Sequence, residues 1–281
     1  MEGCDINQQD CMGFTPLMRA AWKGNQAAVT RLLARDDIDP DKPDNNGKTP
    51  LSWASRNGQE GVVRLLLERD DVNPDKPDDD GQTPFWWASL HGREGVVRLL
   101  LARDDVDPNR PGHDGKTPLW WPSWDGYEGV VRLLLARDDI NPDKPDNNGL
   151  TPLWAASCNG HEGVVRLLLA RDDLNPDRLT NRGKTPLLQA SLNGHGGVVR
   201  LLLERDDVNP DEPDNHGRTP LWGASGNGHE EVVRLLLARD DVNPDKPNNS
   251  GQTPLRIASE RSHTHVVALL QPRTVPLSRT D

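Results

Sequence analysis

The chain has 281 residues, 34% of them hydrophobic and 27% charged, and its 44 acidic against 33 basic side chains give a formal net charge of −11. No apolar run approaches the roughly 18 residues that a membrane-spanning helix needs, and the acidic balance argues against contacts with nucleic-acid phosphates, which need clustered Lys and Arg. Three cysteines are too few for a disulfide framework and favour a reducing compartment. We therefore expect a cytoplasmic protein, with the nucleus as the alternative, that binds neither nucleic acid nor a membrane.

One motif organises the whole chain. Thr-Pro followed by Leu or Phe recurs at a constant spacing of 34 residues, and a glycine stands two positions before each threonine. An unbroken period of this length predicts an array of small stacked units rather than one globular core. We number the repeats 1 to 8 by their threonines, which are Thr15, Thr49, Thr83, Thr117, Thr151, Thr185, Thr219 and Thr253.

Repeat 2 shows how each unit is predicted to fold. Asn46-Gly47 is a tight-turn signal. Thr49 is a good helix N-cap, and the proline after it suits the first helical position because its missing N–H is not needed there. The pattern predicts a first helix from Pro50 to Arg56 and a second from about Glu60 to Arg69, the latter with Val and Leu on its buried side.

This succession of motifs resembles the ankyrin repeat. The matching elements are Gly-x-Thr-Pro-Leu, then Ala-Ser or Ala-Ala, then Asn-Gly-His-Glu or Asn-Gly-Gln-Glu, then Val-Val-Arg-Leu-Leu-Leu, over about residues 5 to 270. The resemblance implies an all-α solenoid of helix-turn-helix units with β-turn fingers, whose fingers and first helices line a concave surface. It also implies a module that binds a protein partner without catalysis, so we expect no enzymatic activity, no cofactor and no metal site.

Two departures from the family pattern matter. The period is 34 residues rather than the usual 33 or so. The family's histidine after Thr-Pro-Leu, which forms structural hydrogen bonds, is absent from all repeats, so the contact between finger and helix is expected to differ. The residues in its place are Met18, Ser52, Trp86, Trp120, Trp154, Leu188, Trp222 and Arg256.

The ends of the array differ from its middle. We interpret residues 1–9 as the tail of a preceding repeat, 10–271 as the array with its last unit shortened, and 272–281 as a flexible C-terminal tail. We expect a monomer. Because the N-terminal face lacks a polar capping repeat, self-association at that face is the alternative. The near-identical units also resemble terminal arrays of large multidomain signalling or NTPase-containing receptor-like proteins. A sensory or structural array within such a protein is the alternative function.

Polar columns recur at the ends of the helices. An arginine and two aspartates follow the second helices of repeats 2 to 7, as in Arg69-Asp70-Asp71. Carboxylates could hold a divalent cation, but the adjacent arginine favours a neutralised loop edge. We interpret the column of His161, His195, His229 and His263 as structural turn residues. The excess of Asp near the fingers favours a partner with basic patches.

The first helices carry the predicted partner-binding site. With about 100° per residue, the positions that vary between repeats lie opposite the small residues Ala88 and Ser89, which pack closely. By the resemblance, the variable side faces the concave surface. Tryptophan, which is enriched in binding hot spots, is frequent on it. The predicted partner-binding residues are Trp22, Lys23, Arg56, Trp86, Leu90, His91, Trp120, Trp124, Asp125, Trp154 and Trp222.

Some of these tryptophans have a structural interpretation as well. The column of Trp53, Trp87 and Trp121 aligns with a buried leucine of the family and is expected in the core. The column that contains Trp86 is expected either under the fingers, in place of the missing histidine, or exposed to the partner. Trp22 and Trp124 are the best candidates for exposed contact residues.

Pro122 interrupts the first helix of repeat 4, at a position that is alanine in repeats 2, 3 and 5. A proline inside a helix removes a hydrogen bond and clashes with an earlier carbonyl. The proline is expected either to kink the helix locally and reorient the neighbouring tryptophans, or to reflect ordinary sequence drift in an array of redundant repeats.

Overall fold

The computed structural model describes residues 5–271. Within this range the fold is all-helical, with sixteen helices in repeated helix-turn-helix units and no strand. The chain divides into two compact units, the first ending at Pro152 and the second beginning at Leu153. The predicted tail 272–281 and the first four residues of the segment 1–9 lie outside the described residues.

The first compact unit contains four helix pairs. The first helices of successive repeats pack on one another, and so do the second helices, so that the unit has two layers. The helices are α1 (Pro16–Lys23), α2 (Gln26–Leu33), α3 (Pro50–Arg56), α4 (Glu60–Leu67), α5 (Pro84–Leu90), α6 (Glu94–Leu101), α7 (Trp120–Asp125) and α8 (Glu128–Leu135).

The second compact unit repeats this construction. Its first helices and its second helices again pack in two layers. Its helices are α9 (Pro152–Asn159), α10 (Glu162–Leu169), α11 (Pro186–Asn193), α12 (Gly196–Leu203), α13 (Pro220–Asn227), α14 (Glu230–Leu237), α15 (Pro254–Glu260) and α16 (Thr264–Leu270). Among residues 5–271, none of the helices has the length and apolar character to cross a membrane.

The first helices begin as the sequence predicts. The hydroxyl of Thr83 accepts the backbone N–H of Trp86 at 3.1 Å, and a proline occupies the first helical position. Such caps satisfy a backbone donor that the first turn of a helix leaves free, and each is worth about 1 kcal/mol. Inside the layers, Leu51, Phe85 and Leu119 occupy equivalent positions and are fully or almost fully buried. Local capping and burial between neighbours therefore define each unit.

The fingers approach one another so closely that glycine is required. Gly47 has φ +81°, and a Cβ atom there would lie 2.7 Å from the backbone nitrogen of Asp79 in the next finger. That nitrogen donates to the carbonyl of Asn46 at 3.1 Å. Both the left-handed conformation and the short approach exclude a side chain at Gly47. At Gly251, in the last finger, a Cβ atom would meet nothing within 4 Å, and only the left-handed conformation, φ +72°, favours glycine.

Repeat 4 departs from this pattern at its first helix. Because Pro122 has no N–H for the carbonyl four residues earlier, α7 begins only at Trp120. The N–H of Trp120 donates to the backbone carbonyl of Thr117 at 3.0 Å. The buried hydroxyl oxygen of Thr117 has no hydrogen-bond partner in the part of the chain that the structure describes. The irregularity expected at Pro122 is therefore a late helix start.

The acidic pairs after the second helices are partly neutralised, as expected. In repeat 2, Arg69 lies beyond α4 and binds the Asp71 carboxylate through two hydrogen bonds of 2.8 and 2.7 Å. The same guanidinium donates to the carbonyl of Leu33 in the preceding repeat at 2.6 Å. The hydrogen bond from Arg69 lowers the pKa of Asp71 below its ordinary value. The second aspartate of the pair therefore orients an arginine that joins neighbouring repeats.

A second acidic column lies in the turns before the fingers. The Asp41 carboxylate accepts the backbone N–H of Asn73 through Oδ2 at 2.8 Å, whereas its buried Oδ1 has no protein donor among the described residues. Asn109 occupies the same position in repeat 4, where its oxygen accepts the N–H of Asn141 at 2.9 Å and its nitrogen donates to the carbonyl of Asp139 at 2.6 Å. The turn thus suits an amide better than a carboxylate.

We expect Asp41→Asn to increase the free energy of unfolding at pH 7 by about 1 kcal/mol, because the amide nitrogen replaces the unpartnered Oδ1 and can donate to the carbonyl of Asp71, as Asn109 does to that of Asp139, at a partly solvated site. Burial raises the pKa of the Asp41 carboxyl above its ordinary value of 3.8. The folded state therefore binds this proton more tightly than the unfolded state, and the resulting stability, complete below pH 3.8, is lost as the pH rises through the raised pKa. The advantage of the asparagine should accordingly shrink on acidification.

Urea titrations between pH 3.5 and 7.5 measure this difference. Asp39→Asn is the matched control, because it removes one charge from the same turn while Asp39 keeps only an exposed acceptor role toward the N–H of Asp41. An equal gain from both variants, or a gain that does not depend on pH, would show that net charge rather than the unpaired oxygen limits stability.

Candidate functional site

The tryptophans in place of the missing histidine support the fingers from below. Trp86, Trp120 and Trp222 are 3%, 3% and 7% exposed, so that of the two alternatives for this column these three take the position under the fingers. Each indole N–H donates to a backbone carbonyl in the finger 30 residues on, at 3.1 to 3.2 Å. The acceptors are the carbonyls of Lys116, Leu150 and Gln252. These rings therefore act as structural supports, and Trp154, in the same column, is half-buried.

The next tryptophan column differs from the expectation of a buried core. Trp53 and Trp87 are half-buried, and each indole N–H donates to an aspartate of its own finger at 3.0 Å. The acceptors, Asp44 and Asp78, are 6% exposed. The carboxylate holds the polar edge of the indole at the finger, so that one face of the ring stays open to the surface.

An apolar cleft opens between the first finger and helix of repeat 1 and Trp53 of repeat 2. It has a volume of about 230 Å³ and is lined by Met12, Phe14, Arg19, Trp22 and Trp53. Met12 is 61% and Trp22 44% exposed, and the rings of Phe14 and Trp53 lie 5.2 Å apart. The sequence pattern predicts Trp22 as a partner-binding residue and gives no such prediction for Met12. The signal for Met12 was its position, because the corresponding fingertip residue is polar in the other repeats.

The predicted residues of repeats 3 and 4 form two ring stacks. His91 stacks on Trp87 with centroids 5.9 Å apart and 18° between the planes, and Trp124 stacks on Trp120 at 5.3 Å and 11°. Leu90 and Trp124 are half-buried, and Asp125 and Lys23 are exposed. The predicted residues of the first compact unit thus lie on the first helices, except His91, which directly follows α5.

The whole chain was compared with protein-family models. A model described as ankyrin repeats (3 copies) matches residues 1–78, 70–146, 138–214 and 207–281. The chain belongs to the ankyrin-repeat family. A comparison with curated proteins gives no match. Ankyrin repeats are generally modules of protein–protein interaction, and ankyrin-repeat proteins are generally non-catalytic.

Cations lie against the rings of this ankyrin array. The Arg56 guanidinium stands 5.2 Å from the centroids of both Trp53 and Trp87, and the Lys48 ammonium 4.9 Å from that of Trp87. Such cation–π contacts are worth about 0.5–1 kcal/mol at exposed sites. Burial, followed by the charges of Arg56 and Arg93, lowers the pKa of His91 below its ordinary value. The surface between repeats 2 and 3 therefore presents aromatic rings with two cations placed against them.

Titratable side chains of the described residues form hydrogen bonds between repeats. Among residues 5–271, no group of three or more His, Cys, Asp or Glu side chains could hold a metal ion. The column of histidines is used structurally: His195, for example, has Nε2 at 3.0 Å from the carbonyl of Cys158 in the preceding repeat. The arrangement can recognise a partner through rings, cations and finger backbones.

Proposed function

We propose that this ankyrin array is a recognition module that binds a protein partner through the first helices and fingers of repeats 1 to 4. The proposed contact surface consists of Met12, Trp22, Lys23, Trp53, Arg56, Trp87, Leu90, His91, Trp124 and Asp125. Trp86 and Trp120 support it from within, since their rings are almost completely buried. Trp154 and Trp222 belong to the second compact unit and are not required by this proposal.

The cleft at Trp22 carries the proposal. Its lining is almost entirely apolar, and two large side chains, Met12 and Trp22, are among the most exposed hydrophobic residues of the described chain. Such exposure costs solubility unless another surface covers it, and contiguous apolar patches mark interaction sites. Trp53, fixed by Asp44, supplies a rigid wall with little rotamer entropy to lose on binding.

A capture experiment tests the function. The full chain is immobilised and exposed to lysate of its native cells, and the retained proteins are identified by mass spectrometry for wild type, Trp22→Ala and Leu179→Ala. We expect at least one protein to be retained by wild type and Leu179→Ala but reduced tenfold or more with Trp22→Ala, since hot-spot tryptophans contribute about 2 kcal/mol or more. Leu179 is the matched control because it is 46% exposed and lies outside the proposed surface.

Identical sets of retained proteins for all three forms would overturn the proposed surface, provided that circular dichroism shows the variants folded. According to the second prediction from the sequence, the chain is a sensory or structural array of a larger signalling protein. The same surface would then bind another part of that protein. The Trp22→Ala variant would then release an intramolecular contact instead of losing a separate partner.

A further inference from the structure

One cation of the proposed contact surface lies between two tryptophan rings. Arg56 lies at the end of α3, in the same column as Trp22, and its guanidinium is placed over Trp53 and Trp87. No ion pair within residues 5–271 includes this side chain. Two rings hold the planar group in place, so that its N–H groups are oriented before any ligand arrives.

The neighbouring carboxylates are already occupied. The Asp44 carboxylate accepts the N–H groups of Asn46 and Lys48 through Oδ1, each at 2.9 Å, and that of Trp53 through Oδ2 at 3.0 Å. On the other side, the Asp78 carboxylate accepts the indole N–H of Trp87 at 3.0 Å and lies 3.5 Å from the Lys48 ammonium. The two carboxylates that bond the tryptophans are therefore occupied, and the Arg56 guanidinium between the same rings has no counterion among the described residues, although the whole chain carries −11.

The cleft at Trp22 is continuous with this cation. Trp53 lines the cleft and also stacks against Arg56, so a single indole separates the apolar site from the guanidinium. Beside the cleft, Arg19 is paired with Asp10, whereas Lys23, the last residue of α1, is exposed. The guanidinium lies 5.2 Å from the centroid of the Trp53 ring that also lines the cleft, and a side chain packed on that ring lies about 4 Å from it. At about 3.3 Å per residue in an extended chain, a ligand that fills both sites would therefore carry its two groups no more than about three residues apart.

We infer that the surface of repeats 1 to 3 recognises an acidic peptide segment of a protein partner, with a large apolar side chain in the Trp22 cleft and an Asp or Glu carboxylate bound by Arg56. This inference rests on the proposed function and gives it a ligand class. It differs from the basic partner that the total charge favours, because Asp44 and Asp78, the two carboxylates that bond Trp53 and Trp87 beside Arg56, already have donors. A carboxylate bound by a guanidinium gives two charge-assisted hydrogen bonds of defined direction.

Selection from a random library of displayed twelve-residue peptides on the full chain tests the ligand class. We expect enriched sequences that contain Asp or Glu two or three positions from Leu, Ile, Met, Phe or Trp. A synthetic peptide of an enriched sequence, measured by fluorescence anisotropy, should bind Arg56→Gln at least tenfold more weakly. Its Gln-for-acid analogue should bind wild type and Arg56→Gln equally.

Arg98→Gln is the matched control, because it removes the same charge from an exposed position on α6 and should leave the affinity unchanged. Arg56→Lys keeps the charge without the planar fork and should show an intermediate loss. Enrichment of basic or uncharged sequences, equal losses for Arg56→Gln and Arg98→Gln, or no enrichment at all would overturn the inference. The proposed function would still stand if the lysate partner is lost with Trp22→Ala and kept with Arg56→Gln, which distinguishes the two failures.

Discussion

Replacing Asp78 by alanine should lower the free energy of unfolding by about 2 to 4 kcal/mol. This carboxylate accepts the backbone N–H groups of Asp80 and Gln82 at 3.1 and 2.8 Å, and the indole N–H of Trp87 at 3.0 Å. Its removal leaves three donors without their acceptor, and each partly buried donor that water does not reach costs about 1 to 3 kcal/mol. The expected loss of stability lies near the lower end of the sum over the three donors, because the fingertip amides can turn to solvent.

Equilibrium unfolding in urea, followed by far-ultraviolet circular dichroism, measures the loss. Asp80→Ala is the matched control, since Asp80 is an exposed residue of the same finger and its backbone carbonyl, which accepts the N–H of His113 at 2.8 Å, is kept. The control should change stability by less than about 0.5 kcal/mol. Equal effects of the two substitutions would mean that the Asp78 carboxylate does not tie finger and helix together.

In repeat 4 the opposite substitution can be made, which introduces the carboxylate instead of removing it. Gly112 stands where the other finger has Asp78, and the buried indole nitrogen of Trp121 has no acceptor among the described residues. A Cβ atom on Gly112 would meet nothing closer than 3.4 Å. Gly112→Asp should therefore stabilise the array by about 1 kcal/mol, through the new acceptor and through a less flexible unfolded chain.

The sequence predicts the helices well because their determinants are local. Thr83, the proline after it and the glycine before it specify a capped helix and a tight finger without reference to any other repeat. The predicted bounds of α3 agree with the structure, and α4 ends two residues early because Arg69 turns to bind Asp71. Periodic spacing then identifies which units are neighbours.

The orientation of the tryptophans could not be predicted in the same way. Trp86 and Trp87 are adjacent residues of the same type. Trp86 is nevertheless buried under the finger of repeat 4, whereas Trp87 is half-exposed. What separates them is the acceptor that each N–H reaches, a carbonyl 30 residues on for Trp86 and Asp78 for Trp87. A helical wheel gives the direction of a Cβ atom and not the rotamer beyond it.

The amino-acid composition also does not predict which charges the binding surface presents to a partner. The total of −11 counts carboxylates such as Asp71 and Asp78, which are occupied by an arginine or by N–H groups of their own repeats. Arg56 counts only as one of 33 cations, although its position between two rings gives it a separate role. Pairing within the fold, and not net charge, therefore decides which sign a partner meets.

Replacing Pro122 by alanine should raise the free energy of unfolding by about 2 kcal/mol. The variant supplies the missing N–H, so the first helix of repeat 4 can begin at Pro118, as the corresponding helices begin at Pro50 and Pro84. The N–H of Trp120 can then reach the hydroxyl of Thr117, a cap worth about 1 kcal/mol. Relief of an interior proline contributes up to about 3 kcal/mol, and the greater freedom of the unfolded chain offsets at most about 1 kcal/mol.

The reverse substitution, Ala88→Pro in repeat 3, provides the matched comparison. It should delay the start of α5, remove the bond from Trp86 to the Thr83 hydroxyl and lower stability by about 2 kcal/mol or more. Urea midpoints give both values, and a crystal structure of the Pro122→Ala variant should show the earlier helix start. If Ala88→Pro is costly while Pro122→Ala changes nothing, other contacts in repeat 4 have compensated for the proline, and its late helix start is a relaxed conformation rather than a strained one.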